Sequence, residues 1–233
     1  MNTKDKQPEQ GKEKMSQLKD FTVNKPRPLP VILLADVSGS MASEGKIDAL
    51  NQSVKEMIST FSDEDDLRAE IHVCVITFGG DGAKIHVPLQ PAASVSWSSM
   101  TADGYTPLGG AMELAAELID DREKIPGRAY RPTVIVVSDG QPNDEWKPAL
   151  ARLTTEGRAA KADRLALAIG ADADEAMLKL FLNDPEKRVH HAEDARRIKE
   201  FFRFVTMSVT TRSKSANPNQ VPQVEDPFGL EDY

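Results

Sequence analysis

The hydrophobic residues of the chain fall into short continuous runs separated by stretches of helical periodicity. Residues 31–35, 71–78 and 133–138 form three such runs, each bounded by polar or Gly-containing turns. Runs of this length that are apolar on both sides predict strands covered on both faces of a sheet. Residues 46–61 instead place their apolar side chains on one helical face, which predicts a helix packed on that sheet.

The same alternation continues to the end of the apolar pattern. Further helices are predicted from Pro107 through 119 and over about 144–160, 174–182 and 195–209, with strands at 164–169 and near 188–191. Strands that alternate with helices predict a doubly wound α/β fold, with a mostly parallel sheet and helices on both faces. The glycine-rich turn at 79–82 predicts a hairpin into 83–89. The hairpin makes this second strand antiparallel, and Pro88 places it at the edge of the sheet, because proline is poorly tolerated in a central strand.

Composition divides the chain into an α/β domain and two polar ends. Residues 1–28 are rich in Lys and Gln and are predicted to form a flexible arm. Residues 29–212 form the predicted domain. Residues 213–233 are rich in Ser, Asn, Pro and Gln and end in acidic residues, which predicts a disordered acidic tail.

Charge and cysteine content exclude several classes of partner and compartment. The formal net charge is −8 and no basic block is long enough to follow a phosphate backbone, so nucleic acid is not an expected partner. Cys74 is the only cysteine, which fits a reducing compartment. The first 30 residues show no apolar signal segment and no run has the length of a membrane span, so we expect a cytoplasmic protein without membrane contact.

Oxygen-bearing side chains follow the first buried strand. Asp36, Ser38 and Ser40 alternate along the chain, so in an extended turn they can converge beyond the carboxyl end of the strand. Ligands of open α/β sheets bind at this edge. A carboxylate with two hydroxyls is a hard-oxygen set that suits Mg²⁺ or Mn²⁺. The alternative interpretation is a strand followed by a serine-capped turn.

Two later positions extend this candidate site. Thr106 precedes Pro107 at the start of a predicted helix, where it can serve as a helix cap or as a metal ligand. Asp139 follows the strand at 133–138 and is predicted at the same edge and in the same register as Asp36. Lys46 is the nearest cation and is interpreted as a residue of the helix surface.

Three motifs in this order resemble a known family. The segments DVSGS at 36–40, GYTPLG at 104–109 and VSDGQPND at 137–144 are similar to the three loops of the metal-ion-dependent adhesion site (MIDAS) of von Willebrand factor A (VWA) domains. The resemblance spans about residues 29–210 and is closest to stand-alone bacterial VWA proteins of the tellurium-resistance TerY type.

The resemblance implies a role for each candidate ligand. Ser38 and Ser40 would bind the ion directly, and Thr106 would bind it directly in the ligand-engaged state. Asp36 and Asp139 would act directly or through water. The expected ion is Mg²⁺ or Mn²⁺, with Ca²⁺ less favoured, and an Asp or Glu of a protein partner would fill the open coordination position.

The expected function is therefore partner binding rather than catalysis. TerY-type relatives suggest a bacterial stress or tellurite-resistance setting and a phosphatase or kinase-like partner. The alternatives are an Mg²⁺- or Mn²⁺-dependent enzyme of phosphoryl transfer or hydrolysis, and a metal that only holds the loops together. The sequence contains no P-loop or G-x-S-x-G motif, and the three loops offer no general base, which disfavours the enzyme.

Overall fold

Six strands form a single mixed sheet. In this computed structural model, which describes residues 26–64 and 68–221, they are β1 (Arg27–Asp36), β2 (Ala69–Gly79), β3 (Gly82–Pro91), β4 (Thr133–Ser138), β5 (Asp163–Ile169) and β6 (His190–Ala192). Their order is β3-β2-β1-β4-β5-β6. Only β3 runs antiparallel to its neighbour, β2, while the other pairs are parallel. The predicted fold class and the antiparallel edge strand are confirmed.

Helices cover both faces of this sheet. They are α1 (Lys46–Ser62), α2 (Leu108–Asp120), α3 (Trp146–Thr155), α4 (Glu175–Leu182) and α5 (Ala195–Lys214). The buried side chains of α1 and α5 join one hydrophobic cluster, and those of α2, α3 and α4 join the cluster on the opposite face. Within the described ranges, no helix combines the length and the apolar character needed to cross a membrane.

Successive side chains of β1 point to opposite faces of the sheet, so the strand contributes to both hydrophobic clusters. Leu33 and Ala35 pack on the α1 and α5 side, whereas Ile32 and Leu34 pack on the α2 side. All four are fully buried, as expected for a central strand with helices on both faces. Cys74 belongs to the second cluster, and burial raises the pKa of its thiol to about 12. It is therefore a residue of the core.

Helix α3 is shorter than the sequence pattern predicts. It ends at Thr155, although the prediction extended the helix to about residue 160. Gly157 adopts a positive φ of 57°, which interrupts the helical backbone. Immediately afterwards, the Arg158 amide donates to Asp120 Oδ1 at 3.1 Å, so the chain is tied to the end of α2. Helix α3 therefore ends where it does because of Gly157 and the hydrogen bond from Arg158 to Asp120.

The first strand and the last helix extend slightly beyond the predicted bounds of 29 and 212. Residues 1–25 of the predicted arm lie outside the described residues, and β1 begins at Arg27, before the predicted domain start at 29. Helix α5 continues to Lys214 and contains the predicted boundary at 212. Residues 213–221 are described, while 222–233 of the predicted tail lie outside the described residues.

A buried arginine connects the residues after α5 to the rest of the domain. Arg212 is 1% exposed and donates to the carbonyl oxygens of Pro218 and Arg131. It also donates to Thr133 Oγ1 at the start of β4. These bonds attach the residues after α5 to the amino-terminal edge of the sheet, opposite the candidate site.

Candidate metal centre

The two central strands end side by side and carry the candidate carboxylates. Asp36 is the last residue of β1, and Asp139 directly follows β4. Both residues are buried. Ser38 and Ser40 lie in the loop after β1, where a short 3₁₀ turn (Gly39–Ala42) reverses the chain. The carboxyl edge of the sheet is therefore where these side chains meet, as predicted.

The strand register differs from the prediction by one residue. Ala35 pairs with Val137, so Asp36 lies level with Ser138 rather than with Asp139. Ser138 Oγ donates to Asp36 Oδ2 at 2.6 Å. The expectation that both acids share one register is wrong, because register depends on strand pairing and not on the position of a residue in its own strand. Ser138 thereby contacts the site, and the sequence interpretation missed it.

Hydrogen bonds connect the serines to both carboxylates. Ser38 Oγ and Ser40 Oγ lie 3.0 Å apart, and Ser40 Oγ donates to Asp139 Oδ1 at 2.7 Å. The Ser38 amide donates to Asp36 Oδ1 at 2.8 Å. Four of the five predicted ligands therefore form one connected cluster of oxygen atoms.

Thr106 borders this cluster on a separate loop. It is 8% exposed, and a Cβ at Gly140 would lie 3.5 Å from Thr106 Oγ1, so the hydroxyl faces the loop that carries Asp139. The Asn143 amide donates to the Thr106 carbonyl at 3.2 Å, which fixes the two loops together. The fifth predicted ligand thus lies next to the other four.

The threonine hydroxyl does not cap α2. The helix begins at Leu108 after Pro107, and its N-cap position makes no side-chain hydrogen bond. Asp144 acts in its place: its two carboxylate oxygens accept from the amides of Gly109 and Gly110 at 3.0 and 2.9 Å. The cap alternative for Thr106 is therefore not the one observed, and Asp144 of the third motif stabilises the start of α2.

Lys46 is a contact of the site that the sequence interpretation missed. Its Nζ lies 3.0 Å from Asp139 Oδ2, and its side chain is 17% exposed. The interpretation of Lys46 as a helix-surface residue is wrong, because the side chain extends from the first position of α1 across the sheet edge to a residue 93 positions later. The sequence pattern around Lys46 does not predict a contact with a residue so far along the chain.

Burial dominates the electrostatics of Asp36. It raises the pKa of this carboxyl to about 6, and the nearby Asp139 charge adds to the increase. Hydrogen bonds from Ser138 and Ser38 act in the opposite direction but do not cancel the effect of burial. A carboxylate in this environment gains from a neighbouring positive charge.

The donor set fits a hard divalent cation. Two carboxylates and three hydroxyls offer only oxygen, the ligand type of Mg²⁺ and Mn²⁺. Lys46 already balances part of the negative charge of Asp139. In the part of the chain that the structure describes, no three His, Cys, Asp or Glu side chains gather as metal ligands do. The candidate centre depends on its hydroxyls.

Comparison with known sequences decides the family. The sequence model of the von Willebrand factor type A domain matches residues 31–204, which include all five predicted ligands. The chain belongs to the VWA family. This VWA domain is also 31% identical, over 139 residues, to the uncharacterized protein Rv2850c of Mycobacterium tuberculosis. The match covers 56% of this chain and 21% of that protein, so the chain spans about a fifth of this relative.

Solved structures show the same fold. The pilus adhesin SpaC of Lactobacillus rhamnosus GG superposes with a TM-score of 0.64 at 16% identity, over 79% of this chain and 30% of SpaC. A von Willebrand factor type A protein of Catenulispora acidiphila gives 0.61 at 19%, over 78% and 42%. Proximal thread matrix protein 1 of the mussel byssus, with a zinc-occupied MIDAS motif, gives 0.60 at 16%, over 78% and 48%.

Proposed function

We propose that this VWA domain is a metal-dependent protein-interaction module. Its ion would be held by Asp36, Ser38, Ser40, Thr106 and Asp139, directly or through water. The observation that carries the proposal is the meeting of three separate loops at one point, where Ser38, Ser40 and Asp139 are already connected by hydrogen bonds. An Asp or Glu of a partner protein would complete the coordination of the ion.

The ligand types support this form of recognition. Three of the five ligands are neutral hydroxyls, so the ion is less neutralised than it would be by five carboxylates and attracts a further carboxylate more strongly. Mg²⁺ also retains water in such sites, which leaves positions open for an incoming group. We propose Mg²⁺ or Mn²⁺ as the ion. Two structural neighbours support the class of function, one by its zinc-occupied MIDAS motif and one as a pilus adhesin.

The biological setting proposed here follows from the sequence motifs. Their closeness to TerY-type proteins suggests a bacterial stress or tellurite-resistance pathway, a phosphatase or kinase-like partner and a cytoplasmic location. We also propose that the domain is not itself an enzyme. An assay of phosphoester turnover with Mg²⁺ or Mn²⁺ tests this last statement, and turnover that disappears in Asp139→Asn would contradict it.

Affinity capture of the partner tests the proposal. Tagged protein is incubated with lysate of the source organism in Mg²⁺ or in EDTA, and bound proteins are identified by mass spectrometry. Ser40→Ala removes an exposed candidate ligand, and Ser94→Ala is the matched control at an exposed serine outside the site. We expect a partner that binds wild type and Ser94→Ala in Mg²⁺ but neither Ser40→Ala nor the EDTA sample. A partner insensitive to both changes would contradict the proposal.

A further inference from the structure

A groove opens beside the candidate metal centre. It has a volume of about 420 Å³ and is lined by Gly80, Asp81, Gly82, Tyr105, Pro107 and Asn143. Tyr105 and Pro107 flank Thr106 in the sequence, so the groove begins at the residue next to a candidate ligand. A partner segment whose carboxylate reaches the ion can therefore also contact this groove.

Backbone contacts fix the walls of the groove before any ligand arrives. The Gly80 amide donates to the Asp103 carbonyl at 2.6 Å, and the Gly39 amide donates to the Gly104 carbonyl at 3.0 Å. Gly104 has a φ of 70°, and a Cβ there would lie 2.6 Å from Gly80 Cα. The hairpin turn and the Thr106 loop therefore touch backbone to backbone, which gives the groove a defined shape.

The side chains of the groove have the chemistry of a cation receptor. The Tyr105 side chain is large and aromatic but 75% exposed. Asp81 is also exposed, and it forms no ion pair with the residues that the structure describes. A tyrosine ring and a carboxylate that line the same groove suit a guanidinium, which stacks on the ring and donates to the carboxylate in its own plane.

The surrounding loops offer no cation of their own for this position. The loops at the carboxyl edge are 37–45, 80–81, 100–107, 139–145, 170–174 and 193–194. Each of them contains Asp or Glu, and none contains Lys or Arg. Lys46 of α1 also extends to this edge, but its ammonium is paired with Asp139. The acidic loops therefore repel a purely acidic partner, although the ion attracts a single carboxylate. A partner with a base near its acid satisfies both requirements.

We propose that this groove binds an arginine side chain of the partner next to the carboxylate that binds the ion. The module then recognises a protein segment that carries an acid and an arginine close together. This inference rests on the proposed function, since the carboxylate position is defined by the ion. It adds a second contact that selects among carboxylate-bearing partners.

Synthetic peptides test the inference on the whole 233-residue chain. The probes are acetylated peptide amides with one Asp and one Arg separated by glycine spacers of graded length. In matched peptides, citrulline replaces Arg to remove only the charge, or Asn replaces Asp. Binding is measured by NMR shift perturbation and calorimetry in Mg²⁺ and in EDTA. We expect the best-spaced Asp/Arg peptide to bind about fivefold more tightly than its citrulline counterpart.

Variants of the groove assign that preference to named residues. Asp81→Asn and Tyr105→Ala change exposed side chains and are expected to remove the preference for Arg over citrulline. Asp172→Asn removes the same charge from an exposed loop at the same edge but outside the groove, and it is expected to retain the preference. Loss of the preference in Asp172→Asn to the same extent would overturn the assignment, because only the general charge of the edge would matter.

The outcomes separate this inference from the proposed function. Equal binding of the Arg and citrulline peptides, abolished for both by EDTA, would overturn the arginine contact and support the metal-dependent carboxylate contact. Binding that is unaffected by EDTA and by replacement of Asp would overturn the proposed function. In that case, a retained preference for Arg would support the groove alone. If no peptide binds in Mg²⁺, both are overturned.

Discussion

Lys46 Nζ lies 3.0 Å from Asp139 Oδ2, while the other oxygen of the same carboxylate accepts from Ser40. Asp139 is thus held between an ammonium group and a hydroxyl, with one oxygen turned toward each. The lysine orients the carboxylate and also places a positive charge next to the proposed cation. These two effects have opposite signs for metal affinity.

We expect charge repulsion to be the larger effect, so Lys46→Met should strengthen metal binding. Removal of a positive charge within a few ångströms of a divalent cation lowers the free energy of the bound state, and we expect Mg²⁺ and Mn²⁺ to bind about three- to tenfold more tightly. Calorimetric titration measures the change. Lys55→Met is the control, because Lys55 is an exposed lysine on the same helix. Weaker metal binding in Lys46→Met would show that orientation of Asp139 dominates.

The pKa of Asp36 predicts a pH dependence of metal binding. Burial raises this pKa to about 6, and a cation competes with the proton for the same carboxyl group. Metal affinity should therefore be constant above pH 7 and fall by about tenfold per pH unit below the pKa. Titrations between pH 5 and about 7.5 test this. An affinity that does not change across this range would contradict the assignment of Asp36 as a ligand.

The same shift predicts how stability changes with pH in EDTA. The folded pKa of Asp36 lies above its ordinary value of 3.8, so the folded state holds the proton more tightly than the unfolded chain between these two values. The contribution of Asp36 to the free energy of unfolding is present below pH 4 and is lost as the pH rises through 6. The full loss is about 3 kcal/mol.

Urea denaturation of wild type and Asp36→Asn isolates this contribution. Asparagine is close in shape and does not titrate, so the difference in unfolding free energy between the two proteins should change between pH 4 and about 6.5. Wild type should lose stability relative to Asp36→Asn as the pH rises. A constant difference would mean that the Asp36 pKa is the same in the folded and unfolded states.

The sequence predicted elements better than it predicted contacts between them. Buried strands and amphipathic helices leave a periodic signal, and the spacing of the serines after Asp36 was sufficient to predict their convergence. Ser138 and Lys46 left no such signal. The role of Ser138 depends on the pairing of β1 with β4, and that of Lys46 on how far a flexible side chain extends across the sheet edge.

Helix ends were equally difficult to predict from local pattern. The end of α5 depends on Arg212, whose partners on β4 and beyond the helix are known only after the chain has folded. A buried arginine inside an amphipathic pattern is indistinguishable in sequence from an arginine on the polar face. The hydrogen bonds of this buried guanidinium therefore join residues far apart in the sequence, and no local pattern predicts them.

Gly104 is expected to be indispensable for the loop that carries Thr106. A Cβ at this position would lie within 2.6–2.8 Å of Gly80 backbone atoms, and the positive φ adds strain for any other residue. Gly104→Ala should lower the free energy of unfolding by about 2 kcal/mol or more and weaken metal binding. Gly127→Ala is the control, because a Cβ there has open space and φ is not positive. Equal effects of the two changes in urea denaturation would contradict the close approach.

Arg212 is expected to support the fold without affecting the metal centre. Arg212→Ala removes three hydrogen bonds and the buried guanidinium that lies 3.7 Å from Asp163, which keeps Lys187 as its remaining cation. The free energy of unfolding should fall by about 3 kcal/mol, whereas metal affinity per folded molecule should be unchanged, since Arg212 lies at the opposite edge. Arg203→Ala, at an exposed position of α5, should change stability by less than about 0.5 kcal/mol. An Arg212→Ala protein with the same free energy of unfolding as wild type would contradict this role.

A titration with Mn²⁺, followed by the electron paramagnetic resonance signal of the free ion, tests the central claim most directly. Wild type and Ser94→Ala are expected to bind one Mn²⁺ per chain. Asp36→Asn, Ser38→Ala and Asp139→Asn, each verified as folded by circular dichroism, should lose this site. Unchanged stoichiometry and affinity in these three variants would show that the oxygen cluster at the carboxyl edge is not the metal centre.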